Sequence, residues 1–173
     1  GELMTSATIT DRLVALSRAL IGRIRGGLAQ VNVLVSMFFA GMNGSVVADT
    51  ATVGALVLPA MKKAGYPAAF SAAVTGVSST IGGIIPPSIM MIVLANSTEI
   101  SIAALFAAGI IPGVLIGIVI MAINHFFAIK YNFERSDEPF SIRRAGKELY
   151  RSSFALLIPL VLVGSVMGGV ASV

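Results

Sequence analysis

Residues 64–98 form an uncharged run that is interrupted by Gly82-Gly83 and then Pro86-Pro87, and this interruption constrains the fold more than any other feature of the chain. Proline lacks the backbone N–H, and its ring collides with the preceding turn. Two adjacent prolines after two glycines therefore cannot sit inside a regular helix. The run is also longer than one untilted span, which needs ~20 apolar residues. It predicts a helix broken at mid-membrane depth, with halves over 68–81 and roughly 87–96.

A membrane setting follows from composition. Hydrophobic residues make up 56% of the 173 residues, charged residues 12%, and mean hydropathy is +0.93. A soluble domain carries about twice that charge. Further uncharged stretches cover 26–48, 100–129 and 152–173. The chain is predicted to be an all-α, multi-pass membrane protein. Cysteine and tryptophan are absent, so neither a disulfide framework nor a tryptophan belt is available. The net charge of +4 reads as membrane orientation and not nucleic-acid binding, because no stacking aromatics alternate with the arginines. The chain opens abruptly at Gly1 without a signal-peptide pattern and stops in an apolar run at Val173, so a piece of a larger permease is expected.

Residues 1–25 are predicted to hold a surface amphipathic helix. Its periodic part runs over 8–25, with Thr10 as N-cap, Asp11 in the first turn, and Leu13, Leu16, Leu20 and Ile24 at helical spacing. Residues 26–61 are apolar but punctuated by Gly41 and by Asn43-Gly44-Ser45. Each half is too short to span comfortably, so a re-entrant helical hairpin with its tip near 42–45 is expected. Irregular backbone at membrane depth is tolerated only inside protein or beside a water-filled cavity, so the tip is expected to line a pathway. Gly65 suits a helix end and Pro67 the first position of the next helix. The broken helix then occupies 64–98. A single long span follows over 101–129, irregular at Pro112-Gly113. A charged loop with Pro139 and a short amphipathic helix at 141–151 fill 130–151, and the next apolar helix starts over 152–173.

The positive-inside tendency supports the hairpin. If 26–61 leaves the membrane on the side where it entered, the basic segments 12–25, 62–63 and 130–151 all lie inside and Glu99 lies outside.

Asp49 is the sole charged residue between Arg25 and Lys62. A carboxylate among apolar membrane sequence is costly and marks a functional site by default. In the first turn of a helix it also answers the backbone dipole and free N–H groups, and that simpler role stays open. The tip supplies Asn43, Ser45 and Asp49; the break supplies Ser78, Ser79, Thr80 and the carbonyls near Gly82 and Ile85. Broken helices expose carbonyl ends that bind Na⁺ and N–H ends that attract carboxylates. Oxygen donors of this kind suit a hard cation, with Asp49 offsetting its charge.

The arrangement resembles a known family. Arg25-Gly26-Gly27-Leu28-Ala29-Gln30-Val31-Asn32, Met37-Phe38-Phe39-Ala40-Gly41 and Asn43-Gly44-Ser45-Val46-Val47-Ala48-Asp49 are similar to the large membrane subunit of tripartite ATP-independent periplasmic (TRAP) transporters. So are Ser79-Thr80-Ile81-Gly82-Gly83-Ile84-Ile85-Pro86-Pro87-Ser88 and Ala107-Ala108-Gly109-Ile110-Ile111-Pro112-Gly113. The family usually has Ser in place of Asn43 and often Pro in place of Gly83; Asn43 still offers an oxygen. The resemblance implies one repeat of an elevator-type secondary transporter. It implies Na⁺-coupled uptake of small organic acids, dicarboxylates among them, across the bacterial or archaeal inner membrane. Na⁺ is the coupling ion and no organic cofactor is expected. A small membrane subunit and a periplasmic solute-binding protein are the implied partners. By the same resemblance Asn43, Asp49, Gly82 and Ile85 belong to a cation site, and Ser45, Ser79, Thr80 and Pro86 lie near the solute.

Two other classes compete. A re-entrant loop with a polar tip serves as the selectivity element of an ion channel or of another carrier. An intramembrane protease needs paired carboxylates or a nucleophile–base pair, yet Asp49 has no second membrane acid beside it and the lone His125 sits near the charged end of an apolar helix, where an interfacial role fits. No enzyme is expected.

Overall fold

The computed structural model describes residues 2–133 and 141–168. Among them the chain is helical throughout, with seven α-helices, one short 3-10 turn and no strand. Pro139 and the rest of the predicted charged loop over 134–140 lie outside the described residues.

The first helix, α1, runs Glu2–Ile21. It begins ahead of the predicted Thr10 cap, so Thr10 lies within the helix. It stops where Gly22 takes φ 58 and returns its N–H to the Arg18 carbonyl at 3.1 Å. A left-handed residue at this point ends a helix, and glycine adopts it without a Cβ penalty. Ile24 therefore falls outside the helix, and Leu20 is exposed. Leu13, Leu16 and Ser17 are the buried face.

The centre of the molecule is α2 (Gly27–Asn43), which packs against α1, α3, α4, α6 and α7. Val31, Val33, Val35 and Phe39 are all buried, so α2 is enclosed on more than one face. Gly44, at φ 57, caps α2 with an N–H to the Ala40 carbonyl at 3.1 Å. Ser45 then caps α3 (Val46–Lys63), its Oγ accepting from the Ala48 N–H at 3.4 Å. Two residues thus separate the helices, and α3 folds back along α2 so that Asn32 Nδ2 meets Met61 Sδ at 3.7 Å.

The next helix, α4 (Ala68–Ser79), tightens into a 3-10 turn at Thr80–Gly83. Irregular backbone follows, and α5 (Ile89–Thr98) resumes after Ser88. Ser88 Oγ donates to the Gly83 carbonyl at 2.8 Å and accepts from the Met91 N–H at 3.4 Å. It therefore serves the carbonyl end of one half and the N–H end of the other.

The long helix α6 (Ile102–Lys130) runs antiparallel to α2. Gly26 meets Ala128, Gln30 Nε2 donates to the Met121 carbonyl at 2.8 Å, and Met37 lies in the notch at Gly117. Further along, Gly113 receives Ile85, and Gly109 receives Met91 and the Ile84 carbonyl. Gly109, Gly113 and Gly117 are four residues apart, a small-residue stripe that lets the break and α2 approach the α6 backbone.

The predicted amphipathic helix at 141–151 and the apolar helix from 152 are one continuous helix, α7 (Ile142–Met167). The switch from charged to apolar composition at Ser152 contains no glycine or proline, so nothing in it stops helical hydrogen bonding. Pro159 is accommodated inside α7 and packs on Gly41.

One end of the molecule gathers the basic segments. Arg25 Nη1 donates to Asn132 Oδ1 at 2.9 Å, and the Tyr66 ring lies 4.7 Å from Phe133. The α1–α2 turn, the α3–α4 loop and the end of α6 therefore meet there, with Lys62, Lys63 and Lys130 at their helix ends. Glu99 begins the connection at the opposite end of α6. Among the described residues two helices, Ile102–Lys130 and Ala145–Val166, are long and apolar enough to cross a membrane.

Candidate functional site

The hairpin tip lies against the helix break, backbone to backbone. Ile89, the first residue of α5, donates its N–H to the Gly44 carbonyl at 3.1 Å. A β-carbon on Gly44 would run into the Pro87 carbonyl and stand 3.0 Å from Ser88 Cα. One on Gly82 would stand 3.6 Å from the carbonyl carbon of Ser45, and one on Gly83 3.3 Å from Val46 Cγ2. Ser45, Gly82, Gly83 and Pro87 are thus one neighbourhood, although some forty residues separate tip from break. The Pro86–Pro87 bond is cis.

Asp49 lies one turn into α3 and is 0% exposed. The hydroxyls of Ser79 on α4 and Ser36 on α2 lie beside its carboxylate. Neither carboxylate oxygen makes a hydrogen bond of standard geometry within the described residues. The hydroxyl protons around it have competing acceptors. Ser79 Oγ lies 2.8 Å from the Thr75 carbonyl, which competes with Asp49 for its one proton. Ser78 Oγ has the Thr75 carbonyl at 3.1 Å and Asn32 Oδ1 at 3.3 Å. The 3.2 Å contact between Ser36 and Ser78 takes its proton from either hydroxyl. Asn32 Nδ2 in turn donates to Thr75 Oγ1 at 2.7 Å. The polar chain is satisfied from Asn32 to Ser36, and the Ser36 and Ser79 hydroxyls that it sets beside Asp49 can each present a proton or a lone pair to the carboxylate. A buried carboxylate with only neutral hydroxyls beside it is costly unless a cation joins it. One negative charge and neutral oxygens fit a monovalent hard cation.

The other predicted residues fall around this core. Ser45 is half-buried at the tip, and Asn43, in the last position of α2, is exposed. Thr80 is exposed, and its hydroxyl bonds back to the Val77 carbonyl at 2.7 Å. Ile85 points its side chain at Gly113, while its N–H goes to the Ile81 carbonyl at 2.9 Å. The Pro86 carbonyl lies on the Gly41 side of the tip. Ser79 is fully buried against Asp49, so its hydroxyl serves the carboxylate's surroundings and not an open surface.

Ser36 and Asn32 were missed by the sequence reading. Their signal is a pair of polar residues four apart on an otherwise apolar helix, which places them on one face. Gln30 Oε1 and Asn124 Nδ2, an acceptor on α2 and a donor on α6, are also buried without partners among the described residues.

Comparison with known proteins adds a second line. The family pattern described as "Tripartite ATP-independent periplasmic transporter, DctM component" matches residues 1–173. The chain is 39% identical over 173 residues to the sialic acid TRAP transporter permease protein SiaT of Haemophilus influenzae (strain 86-028NP), covering 99% of this chain and 28% of that protein. It is 36% identical over 169 residues to the C4-dicarboxylate TRAP transporter large permease protein DctM of Pseudomonas aeruginosa, covering 98% and 39%. It is also 36% identical over 169 residues to the 2,3-diketo-L-gulonate TRAP transporter large permease protein YiaN of Escherichia coli (strain K12), covering 98% and 40%. The chain thus spans well under half the length of each of these relatives.

Proposed function

The chain belongs to the DctM component family of tripartite ATP-independent periplasmic transporters, and from that premise we propose that it forms part of a Na⁺-coupled secondary transporter that takes up small organic acids across the inner membrane. Its relatives are transport permeases and not enzymes. The three named above carry sialic acid, a C4-dicarboxylate and 2,3-diketo-L-gulonate in their names, all of them carboxylates. The identities are too alike to favour one acid. The proposal includes a small membrane subunit and a periplasmic solute-binding protein as partners.

The observation that carries the cation reading is the fully buried Asp49 carboxylate, which makes no ion pair within the described residues and has the Ser36 and Ser79 oxygens beside it. In this reading Na⁺ lies among the Asp49 carboxylate, Ser36 and Ser79, near the tip–break neighbourhood of Ser45 and Gly82. Asn43 and Ile85 then bound that neighbourhood from the end of α2 and from the break. Thr80 is exposed and Ser45 half-buried at the edge where a carboxylate solute would meet backbone N–H groups and polar side chains, and Pro86 lies buried behind them. The α2–α3 hairpin is re-entrant in this reading, and the hairpin and break move together as one repeat of an elevator.

Two experiments test it. The full transporter, reconstituted with its partner subunits, is assayed for solute uptake driven by a Na⁺ gradient at constant pH. Losing a charge-assisted partner typically costs about 1.5–3 kcal/mol. Asp49→Asn is therefore expected to raise the Na⁺ concentration for half-maximal uptake about tenfold or more, with insertion retained. An unchanged value would return Asp49 to the helix-start role, which Asn fills nearly as well. Uptake that follows a proton gradient and ignores Na⁺ would replace the ion. Separately, cysteines at Lys62 and Arg143 should label from one side of the membrane and a cysteine at Glu99 from the other. Labelling of Lys62 together with Glu99 removes the re-entrant hairpin.

A further inference from the structure

At the basic end, well away from the tip, Arg23, Ile24, Arg25, His125 and Ile129 line an open cleft of about 510 Å³. No carboxylate is among the lining residues. Neither arginine forms an ion pair within the described residues. Arg25 gives one nitrogen to Asn132 at 2.9 Å and keeps the rest of its fork; Arg23 is exposed. Two guanidinium groups with an imidazole form a donor set suited to a phosphate, which arginine holds through paired N–H groups.

The cleft does not stand alone. His125 and Ile129 are the end of a stripe on α6 formed by Ile111, Leu115, Ile118, Ala122, His125 and Ile129. The spacing alternates four and three residues, which keeps all six on one helical face. All six are exposed. The opposite face carries Gly109, Gly113 and Gly117 and is the packed one. A cationic head end thus continues without interruption into an apolar track along the same helix.

We propose that this cleft is a binding site for an anionic phospholipid of the leaflet at the basic end, with Arg23 and Arg25 on its phosphate, His125 as a further donor, and an acyl chain along Ile118 and Leu115. The continuity of cleft and track is what selects a lipid. A soluble phosphate ester would use the arginines and leave the track without a role. Basic pockets beside membrane helices on the positive side bind lipid headgroups in this manner.

The test uses the full transporter purified with its partner subunits and titrated with phosphatidylglycerol, with phosphatidylcholine of the same acyl chains, and with glycerol phosphate, binding being read by native mass spectrometry. Phosphatidylglycerol is expected to be retained at least fivefold better than phosphatidylcholine. Because Arg23 is exposed and makes no hydrogen bond or ion pair within the described residues, Arg23→Gln leaves the fold intact, and it should weaken phosphatidylglycerol about fivefold, the effect of one basic residue near a membrane surface. Leu115→Asn with Ile118→Asn should weaken both lipids alike. Equal retention of the two lipids by the parent protein, unchanged binding in Arg23→Gln, or displacement of phosphatidylglycerol by equimolar glycerol phosphate would each overturn the proposal.

Discussion

The tip–break junction and the basic end solve opposite problems with opposite materials. At the junction, backbone meets backbone. Gly44 touches Pro87 and Ser88, Gly82 touches Ser45, and the one carboxylate in the hairpin is sealed from solvent. At the basic end, side chain meets side chain. Tyr66, Phe70 and Phe133 pack as a ring cluster with centroids 4.7 to 6.2 Å apart, and the charged groups stay in contact with solvent. The first region has no flexible atoms with which to absorb a change. The second is made of side chains that can shift. Sensitivity to substitution should therefore differ sharply between the two, and the difference separates a region built for position from one built for anchoring.

The largest effect is expected at Gly44. Valine there combines a β-branched side chain at φ 57 with a collision against the Pro87 carbonyl. A left-handed backbone costs an L-residue about 1–2 kcal/mol, and overpacking adds about 1–3. Gly44→Val should lose about 3 kcal/mol and reduce uptake to below a tenth, as read by thermal unfolding and vesicle assays. Full activity in that variant would show that the tip does not dock on the break. Next comes Gly109→Ala on α6. Its methyl group would stand 2.5 Å from the Ile84 carbonyl, a backbone atom, and against Met91. A loss of about 2 kcal/mol is expected, with uptake impaired more than insertion, because the break is displaced from the tip. The smallest effect is expected at the basic end. Phe133→Ala removes a half-buried ring and should lower stability by about 1–2 kcal/mol, with the Na⁺ concentration for half-maximal uptake unchanged. A shift in that concentration would mean that the two regions are coupled.

The sequence made the punctuation of this fold legible. Asn43-Gly44-Ser45 marks the hairpin turn because glycine suits the left-handed cap of one helix and serine the N-cap of the next. Gly82-Gly83 with Pro86-Pro87 marks the break because proline removes the donors that a helix needs. Continuity was less visible. The composition change at Ser152 reads as a boundary, but polarity is not a helix breaker, and α7 runs straight through it. Likewise Thr10 has the chemistry of a cap, yet nothing before it forces the chain out of helical geometry, and α1 extends to Glu2. For the candidate site, Asp49 stood out by charge, whereas Ser36 is made important only by the packing of α2 against α3 and α4. The same holds for Gly109, Gly113 and Gly117, whose spacing is periodic but whose occupants, Met91, Ile85 and Met37, come from other segments.

The hydrogen bond from the Ile89 N–H to the Gly44 carbonyl has a mechanical consequence. A loop that swings aside like a flap must give up such a bond, and a backbone donor left without a partner costs about 1–3 kcal/mol. The tip is also notched between Pro87 and Gly82, so it has no slack along the chain to swing with. Hairpin and break, latched by this bond, would travel as one body, which is the motion that the elevator proposed above requires, with no door opening between them.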